Sequence, residues 1–156
     1  MKPFVVVCIM LLLGLDATTS HAQSPPAGTF KVVAFTLEVD GAITEPYGKS
    51  PRGYVVLTPD RFIGIVTAEN RKFGTSVAEK AVLWESMIAY SGKYAVDGNE
   101  LHITVDVSYN EVWNGTRLVR YWELSGNQLT LTSPPAPWSR DPTKTVSAKV
   151  IFERSE

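Results

Sequence analysis

The sequence predicts an all-β fold: a closed antiparallel barrel of about eight strands, with one helix inserted after the third. Three observations predict it. Short runs rich in β-branched and aromatic residues follow one another along the chain, turn residues separate most of them, and only one segment has a helical period. At 156 residues the chain is long enough for one domain with a sizeable core. A net charge of −1 and a pI near 6.1 leave no electrostatic footprint for nucleic acid or an anionic membrane.

The first residues read as a leader. Lys2 is a minimal charged start, Phe4–Leu13 is an apolar run of signal-peptide length, and Ser20-His21-Ala22 presents small residues at a cleavage site. Cleavage is expected after Ala22, giving an exported protein, periplasmic or secreted. The run is too short to span a bilayer and Asp16 interrupts it, so no membrane insertion is expected after cleavage. Cys8 is the only cysteine, and His21 leaves with the leader, so the mature chain has no thiol and one histidine, His102. That inventory excludes disulfides, Cys-His catalysis and multi-histidine metal sites. No Gly-rich phosphate loop or metal motif occurs, and no cofactor is expected.

Residues 23–28 form a Pro-rich lead-in, and the barrel domain is expected over residues 29–156. Thr29–Asp40 reads as a long first strand, and Ala42–Arg52, with two prolines, as a loop or irregular edge. Gly53–Thr58 and Arg61–Thr67 form a hairpin about Pro59-Asp60, with Gly64 marking a bulge or bend. In Thr75–Ala89 the residues Val77, Ala81, Trp84 and Ile88 fall on one helical face, and Ser76 with Glu79 can form a capping box. Tyr90–Val96 and Leu101–Ser108 flank a turn at Gly98-Asn99. Pairing puts Tyr90 and Tyr94 on the apolar face with Leu101, Ile103, Val105 and Val107, and turns His102 outward. Pro134–Pro142 is too proline-rich for a strand, and Lys144–Glu153 is the last strand.

The most informative stretch is Thr116–Pro134. A two-residue turn at Gly126-Asn127 sets Ser125 opposite Gln128 and Leu124 opposite Leu129. Leu118, Arg120, Trp122 and Leu124 then share one face with Leu129 and Leu131. A single charge, Arg120, thus lies on an otherwise apolar surface. A guanidinium in such a place can hold a carboxylate, phenolate or enolate, or it can cap the core with a protein partner. Tyr90 and Tyr94 can aim hydroxyls at a ligand while their rings line a pocket. Trp122, Tyr54 and Trp113 complete the candidate binding residues. His102 reads as a surface residue, and Asn114-Gly115-Thr116 matches a glycosylation sequon.

Gly28-Thr29-Phe30, Gly53-Tyr54 through Thr58-Pro59-Asp60, Ala89–Tyr94, Gly115–Leu124 and Leu129-Thr130-Leu131 together resemble the lipocalin-like domain family. Phe30 stands where the family usually has tryptophan, and Arg61 where glycine usually follows the aspartate. The resemblance implies a calyx-like barrel holding a small apolar or amphipathic molecule, without naming it. Binding or transport of a small hydrophobic or weakly acidic molecule is the expected function. Two alternatives stand beside it. A cofactor-independent cyclase, isomerase or dehydratase would use Arg120 for an oxyanion and a tyrosine as acid, with a carboxylate such as Glu45 folded inward. A filled barrel would instead act through protein contact at the Trp138 loop. The sequence carries no signal of oligomeric state.

Overall fold

Strand alternation and tight turns lay out ten strands in a computed structural model that describes residues 26–155. The expected leader and its cleavage point lie outside the described residues. In chain order the elements are β1 (Gly28–Val39), β2 (Ala42–Thr44), β3 (Arg52–Leu57), β4 (Arg61–Thr67), α1 (Val77–Glu85), β5 (Met87–Asp97) and β6 (Glu100–Ser108). A 3-10 turn at Glu111–Trp113 precedes β7 (Arg117–Ser125), β8 (Gln128–Thr132), β9 (Ala136–Trp138) and β10 (Asp141–Arg154). Eight of the strands close an antiparallel barrel, because β1 pairs with β10 from Phe30↔Arg154 to Val39↔Val146. Closure removes the exposed sheet edges that an open meander would leave. The short β2 and β9 lie outside this circuit, on β1 and β10 respectively.

The two ends of the barrel differ. Three tight connections and both ends of the described chain form one of them. Thr58 and Arg61 close the first turn with a backbone bond of 2.9 Å, and Gly98 and Gly126 supply the positive φ of the others. Phe30, Leu57, Leu101 and Leu129, all fully buried, fill this floor. The opposite end carries the long connections, including the segment 68–86 with α1.

The structure departs from several of these expectations. The helix spans Val77–Glu85 rather than 75–89, because Met87, Ile88 and Ala89 pair with Thr67, Val66 and Ile65 of β4. Ladder hydrogen bonds and an inward seat for Ile88 outweigh one more helical turn. The apolar helix face is not buried either: Val77 is 86% and Trp84 52% exposed. Gly64 is no bulge, since β3 and β5 pair through it without a shift in register. A Cβ there would press on the Phe62 ring, which folds over this position. Val107 points outward, 65% exposed, because Ser91↔Val107 is followed by Gly92↔Val105 and Asp106 is one residue in excess. That bulge is clamped. The Ser91 hydroxyl donates to Asp106 Oδ1 at 2.8 Å and Arg61 Nη1 pairs with Oδ2 at 2.8 Å, holding the carboxyl below its usual range. The proline-rich segment contributes β9 after all, as an edge strand where a missing N–H is tolerated.

The capping box forms as expected. Ser76 Oγ accepts from the Glu79 N–H at 3.2 Å, and the Glu79 carboxylate accepts from the Ser76 N–H at 2.9 Å. Because α1 scarcely packs on the barrel, Ser76→Ala should cut hydrogen-exchange protection of the α1 amides by about fivefold and leave the barrel strands unchanged. An equal loss in β3 or β4 would show that the helix belongs to the cooperative core. Among the described residues no helix is long and apolar enough to cross a membrane.

Candidate functional site: the barrel lumen

The register set by Gly126-Asn127 is the observed one: Ser125 pairs with Gln128, Leu124 with Leu129 and Trp122 with Leu131. Strand alternation then carries Arg120 to the inner wall. Above the floor the lumen is not completely filled, and a cavity of about 60 Å³ remains. Its wall is formed by Phe35, by Phe62, Gly64 and Val66 of β4, and by Ile88 and Tyr90 of β5. Arg120, Leu131, Ala148, Val150 and Phe152 close the other side. Space persists beside Ala148, whose side chain offers little bulk. A larger residue at that position would complete the packing.

Among the described residues Arg120 is the one charged group on this wall. Its Nη1 donates to the Val119 carbonyl at 2.7 Å, and its guanidinium carbon lies 5.8 Å from the Tyr90 ring centre. Among the described residues no carboxylate forms an ion pair with it. Tyr90 stacks on Phe62 with centroids 5.0 Å apart and meets Trp113 edge-on at 5.7 Å. The aromatic chain continues outward through Tyr109, 5.6 Å from Trp113, to Trp84 of α1 at 4.9 Å. This run of rings joins the cavity wall to the helix at the loop end.

The predicted site residues separate into groups. Arg120 and Tyr90 come together on the cavity wall. Trp122 is on the same inner face but within the packed core, and Trp113 packs against Tyr90 from its loop. Tyr94 does not reach the cavity. Its hydroxyl donates to the Thr58 carbonyl at 2.7 Å, bracing the floor. Burial and nearby Asp60 push that phenol's pKa up. Tyr54 faces outward, because Val55 and Leu57 take the inner positions of β3. His102 is turned to the outer face as expected, bonded through Nε2 to Glu100 at 3.0 Å. Glu45 is exposed in its loop, and among the described residues no carboxylate lines the cavity.

Tyr47 was missed. It lies between Pro46 and Gly48 in the segment read as a loop, yet it is buried and stacks on Phe35 at 4.6 Å. Burial pushes its phenol pKa well up. A lone aromatic flanked by turn residues is the signal that could have found it, since such a ring in a loop commonly anchors that loop to the core.

Closed antiparallel barrel, solid floor, and a small apolar lumen beneath long loops: these define a calyx-type β-barrel. The chain belongs to the lipocalin-like domain family, whose model matches residues 27–155. Comparisons with curated proteins and with solved structures found no match. A lipocalin-like barrel suggests small-molecule binding in general.

Proposed function

We propose that the protein binds a small hydrophobic or weakly acidic molecule inside the barrel, admitted through the loop end after export. The observation that supports this reading is the lumenal cavity of about 60 Å³, apolar except for one guanidinium. A single water needs roughly 10–15 Å³ of such space, so about five non-hydrogen groups fit. At a ceiling of roughly 1.5 kcal/mol per atom, affinity tops out near −7 kcal/mol, a Kd on the order of 10 μM. The protein on this reading exchanges its ligand readily rather than storing it.

Xenon and toluene test it, because both enter dry apolar cavities without needing a polar partner. Under either, the methyl resonances of Val66, Ile88 and Leu131 should shift, while those of Ile63 and Ile65 on the outer face stay put. Ala148→Leu fills the cavity and should abolish the shifts. Lumenal methyls that ignore both probes would end the reading.

A further inference from the structure

We propose that the outer wall of β3–β6 is the interface of a two-fold symmetric dimer, in which an isoleucine ridge on β4 of each copy lies in a groove on β5 of the other. The proposal concerns the outside of the barrel and stands whatever the lumen holds. Exposed apolar side chains are ordinary when scattered, but here they adjoin. The ladder sets Tyr54 opposite Ile65 and Val56 opposite Ile63, then Ile65 opposite Ala89 and Ile63 opposite Ser91. Val107 follows beside Ser91, and Tyr109 donates its N–H to the Ala89 carbonyl at 2.8 Å, which continues the other row. Tyr54, Ile63, Ile65 and Val107 are 44%, 43%, 46% and 65% exposed. Side-chain size gives this wall its relief. The outward residues of β5, Ala89 and Ser91, are small, while Ile63 and Ile65 stand on one side of them and Val107 and Tyr109 on the other. A groove of about 460 Å³ therefore runs along β5.

A ridge and a groove one strand apart, about 4.8 Å, make the surface complementary to itself. A two-fold axis along the strands, midway between β4 and β5, sets Ile63 over Ser91 of the second copy and Ile65 over its Ala89. The same axis sets Tyr54 over Tyr109 and Val56 over Val107, so every contact at the centre is apolar or small. β3–β6 are paired along both edges, which leaves a face rather than a strand edge for docking. Four strands at about 4.8 Å and five residues at about 3.4 Å give a footprint of roughly 300 Å² before roughness. A stable interface covers about 800 Å² on each partner, so this dimer is a weak, reversible one. Toward the floor the groove ends at Lys93, which faces Arg61 across the ladder. Asp106 is already paired with Arg61, and Lys93 has no ion-pair partner among the described residues. Each copy thus brings two cations and one carboxylate to this exposed rim. Their net repulsion opposes association, and salt relieves it.

Sedimentation equilibrium of the intact protein across the micromolar range tests it. A monomer–dimer equilibrium with a Kd on the order of 100 μM is expected. It should tighten severalfold as NaCl rises from ~20 to ~300 mM. In NMR dilution the methyl resonances of Ile63, Ile65 and Val107 should move, while those of Val66 and Ile88 in the lumen stay put. Ile65→Glu should weaken the dimer at least tenfold. Ala89→Leu, which fills the groove without adding charge, should weaken it severalfold, and urea midpoints report whether both variants fold. Tyr121→Glu replaces another exposed aromatic, on β7 outside the patch, and should leave the Kd unchanged. A protein still monomeric at millimolar concentration overturns the inference. So does one that grows past two copies, because a two-fold contact closes on itself. A dimer indifferent to both patch variants, or one weakened by salt, overturns it as well. Patch shifts that appear only with phosphatidylglycerol vesicles would give this face to a membrane instead.

Discussion

Gly53→Ala should lower the unfolding free energy by about 3 kcal/mol and the Tm by roughly 10 °C. Two causes add at this position. Gly53 has φ +143°, which side-chain-bearing residues rarely adopt, and a Cβ there would run into the Ile65 carbonyl on the neighbouring strand. Neither atom can yield, because both belong to the β3–β4 ladder that positions Val66 on the cavity wall. Gly98→Ala is the control. It has φ +56° in a turn with open space around the missing Cβ, so it should cost only about 1 kcal/mol. Urea unfolding of both variants measures the difference, and similar midpoints would show that close strand approach is not what the glycine serves.

Arg120→Leu should move stability the other way, raising it by about 1 kcal/mol, even as it removes the preference for an acid. The side chain is half-buried, has one backbone hydrogen bond and has no ion-pair partner among the described residues. Leucine would offer apolar surface to Leu131 and Val150 without a charge to desolvate. A residue that weakens the fold it sits in is the signature of a group kept for binding. A loss exceeding 1 kcal/mol in chemical denaturation would instead make Arg120 a brace, and its place in the site would fall.

Much of this barrel was legible in the sequence because two signals are local. Alternation assigns inner and outer faces, and Gly-Asn turns fix registers, so Leu124 opposite Leu129 and Arg120 inside both follow from residues a few positions apart. Depth along the barrel axis is not local. Tyr90 and Tyr94 share an inner face, yet one lines the cavity and the other braces the floor. Alternation also fails where an extra residue enters, and nothing around Asp106 announces the bulge that expels Val107. Tyr54 was unreadable for another reason. β3 is apolar on both faces, so its pattern has no contrast to orient it. Met87–Ala89 fit a helical period and a strand equally well, and only pairing with β4 decides between them.

The β1–β10 seam joins residues 126 positions apart: Ser155 donates its N–H to the Thr29 carbonyl at 2.9 Å. Such a ring cannot shut on a growing chain. Until β10 leaves the ribosome, β1 has a bare edge available to any other extended segment, and the wait is set by synthesis rather than by the barrel's own rate of closing.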